Sequence, residues 1–295
     1  MKDLVRGCGV ALVTPFTNGE IDYEILGDLV ELHVEKSGSI IVAGTTSEAP
    51  TLTDEEYHTV VKFVIDKVNK RIPVIAGSGS NCTQSAIKKS QFCEQAGADG
   101  LLIVTPYYNK TTQRGLVNHF KMIAESTNLP IIVYNVPGRT GMNIVPKTVL
   151  ELTKIKNVVG IKEASGDISQ VAEIIRICPK DFLVYSGNDD MVIPLMSLGG
   201  KGVISVSANI LPAEMKKMVD DYANGNINEA RDAQLALNGI NNALFIETNP
   251  IPVKEAMGLL NMCSSEVRAP LYPMSPENRD KLIKELELYG LKLAK

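Results

Sequence analysis

The sequence predicts an α/β chain folded as a (β/α)8 TIM barrel with a helical C-terminal appendage. Short β-branched apolar runs alternate with loops rich in Gly, Ser, Thr and Pro, then with apolar patterns of period near 3.6, and eight such units follow one another. Each run is apolar without interruption, as a parallel strand covered on both faces should be. A length of 295 residues also suits one domain of barrel size better than two average domains.

In chain order the expected strands are 10–13, 40–43, 73–76, 100–104, 130–134, 158–161, 182–186 and 202–206. The clearest helix follows the second strand. Val60, Val61, Val64, Ile65 and Val68 form one apolar stripe, and Thr53-Asp-Glu-Glu56 before it is a capping box. Pro146, Pro212 and Pro276 suit the first position of a helix, where a missing N–H costs nothing. Residues 1–225 are expected to form the catalytic barrel. Residues 226–295 are expected to be a helical extension throughout, with Ala230, Ala233, Leu237, Ile240 and Leu244 on one face.

Composition removes several classes of function. Hydrophobic residues at 44% and charged residues at 22% are globular values, which argues against disorder and coiled coil. A net charge of -4 without long single-sign runs gives no footprint for nucleic acid or anionic lipid. No apolar run approaches the roughly 20 residues of a membrane-spanning helix. The start is too weakly apolar for a signal peptide, so a cytoplasmic location is expected. The five cysteines lack any C-x-x-C pair and read as reduced thiols rather than a disulfide framework or zinc site. The triplets Asn81-Cys-Thr83 and Asn109-Lys-Thr111 need a secreted chain to be glycosylated and are expected to be unused. No metal is expected, because histidines do not cluster and no loop gathers carboxylates at ligand spacing.

Barrel enzymes carry their active sites at the C-terminal ends of the strands, which directs attention to the βα loops. Lys162 ends the sixth apolar run and should project into the mouth. Desolvation there lowers an amine's pKa and frees it to attack a carbonyl, although a salt bridge to Glu163 or a loop carboxylate is an equally simple use for it. Tyr134 ends the neighbouring strand and brings a proton-carrying phenol to the same place. His33, His58 and His119 all fall in helical segments, so hydroxyls at Thr45, Thr46, Tyr107, Tyr108 and Tyr134 are the available proton carriers. Gly44-Thr-Thr-Ser-Glu48 offers hydroxyls and amides to a small anion but lacks the lysine of a phosphate loop. Arg139, on a turn, suits a bidentate grip on a carboxylate, or is simply a surface charge.

Five stretches carry a resemblance: Tyr134-Asn-Val-Pro-Gly-Arg-Thr140, Gly160-Ile-Lys-Glu-Ala-Ser-Gly166, Val104-Thr-Pro-Tyr-Tyr-Asn109, Gly202-Val-Ile-Ser-Val206 and Asn249-Pro-Ile-Pro-Val-Lys254. Together they resemble the dihydrodipicolinate synthase family, within the pyruvate-dependent class I aldolase and lyase superfamily that includes N-acetylneuraminate lyase. The likeness covers residues 9–273. It implies synthesis of 4-hydroxy-tetrahydrodipicolinate from pyruvate and L-aspartate 4-semialdehyde, a step of diaminopimelate and lysine biosynthesis. By the same resemblance Lys162 forms a Schiff base with pyruvate, with no cofactor. Tyr134, Thr45 and Tyr108 move protons, Tyr108 in a neighbouring subunit's site. Thr46, Ile204 and Gly187 lie against pyruvate, and Arg139 grips the carboxylate of the second substrate. A homotetramer built as a dimer of dimers is implied as well.

Two departures from the family pattern stand out. Ser47 occupies a position that is commonly Gly, which is tolerable unless the backbone there has positive φ. Tyr107, Asn81, Ala49 and Asp54 mark a possible effector site. However, Asp54, Tyr57 and Ser85 replace the two histidines and the glutamate of lysine-sensitive members, so weak or absent lysine inhibition is expected. Two other functions share the fold: a related lyase acting on a sugar acid, as N-acetylneuraminate lyase does, and a catalytically silent barrel scaffold.

Overall fold

Residues 4–294 are described in a computed structural model of the chain. Strand β1 (Cys8–Ala11) leads into an antiparallel hairpin of β2 (Phe16–Thr17) and β3 (Glu20–Ile21). The strands β4 (Ser39–Val42), β5 (Val74–Gly77), β6 (Gly100–Val104), β7 (Ile131–Asn135), β8 (Val158–Glu163), β9 (Leu183–Ser186) and β10 (Val203–Ser205) follow. With β1 they close into a parallel barrel in the order β1-β10-β9-β8-β7-β6-β5-β4. The predicted fold is therefore the observed one.

Two buried clusters explain why the strand sequences are continuously apolar. Ile41, Ile75, Leu102, Ile132, Leu183 and Ile204 belong to a cluster that fills the barrel. Their strand neighbours, such as Ile40, Val42, Leu101, Ile131 and Val133, belong to the larger cluster against the helices. Both faces of each strand are thus covered by apolar side chains. Gly160 leaves no room for a side chain, since a Cβ there would lie 2.6 Å from the carbonyl oxygen of Leu183.

The helices are α1 (Tyr23–Lys36), α2 (Asp54–Val68), α3 (Thr83–Ala96), α4 (Gln113–Ala124), α5 (Pro137–Thr140), α6 (Pro146–Leu152), α7 (Ile168–Ile177), α8 (Val192–Ser197), α9 (Pro212–Ala223), α10 (Ile227–Ala243), α11 (Ile251–Leu259) and α12 (Pro276–Leu288). In α2 the Thr53 side chain accepts from Glu56 N–H and the Glu56 carboxylate accepts from Thr53 N–H, closing the expected capping box. Its stripe from Val60 to Val68 is buried, each such side chain contributing roughly 1.5–3 kcal/mol. Pro146, Pro212 and Pro276 open α6, α9 and α12 as expected. Among the described residues no helix is long and apolar enough to cross a membrane.

Two expectations need correction. The strands overlap their predicted positions but differ at the ends, and β8 runs on to Glu163, so Lys162 lies within the strand rather than after it. The C-terminal extension is not helical throughout. Residues 260–275 between α11 and α12 are irregular, because Pro270 and Pro273 interrupt helix formation and the backbone is instead tied to side chains at the barrel mouth.

Candidate active site

The register of β7 and β8 pairs Tyr134 with Lys162, and both side chains enter the mouth of the barrel. The Lys162 Nζ lies 4.4 Å from the centre of the Tyr134 ring. Lys162 is only 5% exposed, and burial lowers its ammonium from 10.5 to about 8, with Asp189 opposing the drop and Arg139 adding to it. Glu163 is not its partner. As the next residue along β8 it turns the other way, where its carboxylate accepts from Asn135 Nδ2, Gln170 Nε2 and Ser165 N–H. Burial raises the Tyr134 phenol to about 12, although Arg139 and a hydrogen bond with Thr45 oppose the rise. Tyr134 is therefore a neutral hydroxyl, able to donate and accept, beside an amine poised to lose its proton.

Asp189 acts on the lysine through its charge. It is buried, and its Oδ2 accepts the backbone N–H groups of Val206 at 2.9 Å and Ser207 at 3.0 Å. Gly187 leaves room for the lysine stem, since a Cβ there would meet Lys162 Cε at 2.9 Å and Ala164 Cβ at 2.6 Å. Ile204 is fully buried on β10, within the cluster that fills the barrel.

Across the mouth, the loop after β4 carries Thr45 and Thr46. Ala43 and Glu48 bracket it with φ of 54° and 53°, the left-handed region that side chains disfavour. Ser47 is not among the positive-φ residues, so the replacement of glycine leaves the backbone unstrained there. Its hydroxyl instead latches the loop, donating to the Leu12 carbonyl at 2.5 Å and accepting from Gly44 N–H at 3.2 Å. The Thr46 hydroxyl accepts from Asn249 Nδ2 at 2.9 Å, and Arg139 Nη1 donates to the Asn249 carbonyl at 2.9 Å. Arg139 is exposed on α5 and overhangs the opening.

These side chains surround one cavity of about 910 Å³, lined among others by Thr45, Thr46, Tyr134, Arg139, Lys162 and Gly187. Tyr107 and Ala49 line its outer end, whereas Tyr108, Asn81 and Asp54 do not line it. Tyr108 is 93% exposed, with φ of 69°. Tyr57 is buried and turned inward, its hydroxyl donating to the Gly77 carbonyl at 2.8 Å, and Lys89 Nζ sits 4.6 Å from its ring centre.

Sequence reasoning missed a wholly buried ion pair beside the site. Lys254 on α11 donates to Glu48 Oε1 at 2.5 Å, with neither side chain exposed. The other carboxylate oxygen accepts Arg268 N–H at 2.9 Å, and Lys254 also donates to the Glu266 carbonyl at 2.7 Å. The ammonium lies 4.0 Å from the Phe16 ring centre. Burial lowers its pKa and Glu48 opposes the shift. Removing one member of such a pair typically costs about 3–5 kcal/mol, because the other is left buried and unpaired. Asn249 and Lys254 bound a motif visible in the sequence, but its spacing does not reveal what they touch.

Residues 4–288 match the Dihydrodipicolinate synthetase family. The chain belongs to that family. A protein of Thermoanaerobacter sp. (strain X514) named 4-hydroxy-tetrahydrodipicolinate synthase is 57% identical over 288 residues, covering 97% of each chain. The crystal structure of dihydrodipicolinate synthase from Aquifex aeolicus matches with a TM-score of 0.96 and 45% identity, covering 98% of this chain and all of that one. A structure described as the first monomeric dihydrodipicolinate synthase variant gives a TM-score of 0.96 at 44% identity, with 98% of each chain covered. Membership of the dihydrodipicolinate synthetase family thus extends over almost the whole chain, as the five motifs imply, and these relatives bear the synthase name rather than that of a sugar-acid lyase.

Proposed function

We propose that this chain condenses pyruvate with L-aspartate 4-semialdehyde to 4-hydroxy-tetrahydrodipicolinate, through a Schiff base on Lys162. The observation that carries it is Lys162 itself, buried against Tyr134 with its ammonium drawn down to about 8. The free amine adds to the C2 carbonyl of pyruvate, and loss of water leaves the imine. Tyr134 donates the proton that the departing hydroxyl takes, and Thr45, hydrogen-bonded to it, passes protons onward. Loss of a methyl proton converts the imine to an enamine, whose carbon attacks the aldehyde of the second substrate. The substrate's own amine then displaces the lysine as the ring closes. Imine formation, proton transfer and ring closure need only amines and hydroxyls of the protein and the substrate, so this mechanism calls for no cofactor.

Thr46 and the neighbouring amides hold the pyruvate carboxylate, with Ile204 and Gly187 shaping the methyl side. Arg139 holds the carboxylate of the semialdehyde, supported by its exposure at the rim and its anchoring on Asn249. Tyr108 completes the relay in a neighbouring subunit, within a homotetramer assembled as a dimer of dimers. Its support is a tyrosine almost wholly exposed on a loop beside the cavity. The free cysteines suit a reducing cytoplasm. The outer end of the cavity, at Tyr107 and Ala49, is a poor lysine site, because Lys89 presents a like charge and the Tyr57 hydroxyl is engaged with Gly77.

Borohydride trapping with pyruvate, followed by mass spectrometry, tests the chemistry. A pyruvate-derived adduct on the peptide bearing Lys162 is the expected result. A folded chain without adduct would overturn it in favour of a silent scaffold.

A further inference from the structure

We infer that the buried pair of Glu48 and Lys254 is a positioning device, through which the C-terminal extension sets the affinity for pyruvate. This rests on the assignment of Thr45 and Thr46 to proton transfer and carboxylate binding given above. Neither charged group lines the cavity, so neither touches substrate. Both act through the loop between β4 and α2.

Three features point the same way. Asn249 holds Thr46 and Lys254 holds Glu48, so one short stretch at the start of α11 grips the loop at two places, on either side of Ser47. Glu48 has φ of 53°, a conformation that a side-chain-bearing residue keeps only where its surroundings impose it. Here the surroundings are specific: one carboxylate oxygen on Lys254 and the other on Arg268 N–H. Finally, a buried ion pair is an inefficient way to gain stability, since apolar side chains of similar volume often serve as well or better. What a carboxylate and an ammonium add is direction. They fix where the chain turns, and with it the hydroxyls just before the turn.

The test compares wild type with Lys254→Met, Glu48→Gln and the double variant by borohydride trapping across a range of pyruvate concentrations, alongside thermal unfolding. All three variants should still form the Lys162 adduct at saturating pyruvate. The concentration giving half-maximal trapping should rise on the order of tenfold in each, as expected when a binding loop shifts by a fraction of an ångström. In the double variant, which leaves no unpaired buried charge, Tm should recover toward wild type while the raised pyruvate requirement persists. A double variant that traps at wild-type pyruvate concentrations overturns the inference and leaves the Schiff base intact. If the double variant does not fold, Glu48→Gln alone decides in the same way, because it retains an acceptor for Arg268 N–H. Absence of adduct in wild type overturns the Schiff-base chemistry and this inference together.

Discussion

Tyr134 and Lys162 stand on adjacent strands whose register alone sets their spacing, whereas Thr45 and Thr46, across the same cavity, stand on a loop whose ties lie 203 and 206 positions further along the chain. The strand side is held by the ladder and by the apolar filling of the barrel. The loop side is held by a handful of directed polar contacts. In the proposed mechanism the imine-forming lysine stands on the strand side, and the grip on the pyruvate carboxylate stands on the loop side. Changes on the two sides should therefore fail differently.

Lys162→Ala should have the largest effect, removing turnover by at least about a thousandfold while circular dichroism stays native, since Lys89, the other lysine that lines the cavity among the described residues, sits over Tyr57 rather than Tyr134. Residual turnover within tenfold of wild type would break the assignment. Tyr134→Phe should lower kcat by about 10²–10³ with a small change in pyruvate KM, because a proton carrier is lost but the ring remains over the lysine. On the loop side the order reverses. Thr46→Val should raise pyruvate KM about tenfold and change kcat less, and equal losses in both would show that the two sides are not distinct. Arg139→Ala should raise KM for the semialdehyde about tenfold or more while leaving the trapping of pyruvate on Lys162 intact.

A pH profile sharpens the strand side. In the proposed mechanism Lys162 reacts as the free amine, and with its ammonium lowered to about 8 only about one part in ten is free at pH 7. kcat/KM for pyruvate should therefore climb as pH passes through 8 and level off above it. A profile flat from pH 6 to 9 would contradict that protonation state. The smallest effect is expected from free lysine, which should leave steady-state rates unchanged at millimolar concentrations. Strong inhibition would mean that Lys89 and Tyr57 do not set the character of the outer cavity.

Lys162 and Tyr134 were legible in the sequence because each follows a continuous apolar run, and parallel pairing turns neighbouring strand ends into neighbouring side chains. Arg139 was legible as a turn residue beside them. The loop was harder. Its hydroxyls could be read as an anion site, but nothing local says that Ser47 latches onto Leu12, or that the turn at Glu48 is left-handed. Still less is there a periodicity linking Glu48 to Lys254, since neither helix nor strand geometry relates residues in different layers of the fold. The irregular stretch 260–275 was overlooked because its helical neighbours dominate the pattern, although the prolines within it announce the break.

The long reach from Glu48 to residues 254 and 268 also gives the molecule a chronology. Chains emerge from the ribosome N-terminus first and fold as they emerge. The last barrel strand ends at Ser205, so a nascent chain can own every strand, Lys162 and Tyr134 included, while the partners of Thr46 and Glu48 are still unmade. The barrel thus acquires Lys162 and Tyr134 early, and the loop that carries Thr45 and Thr46 gains its ties only when the last fifth of the chain arrives.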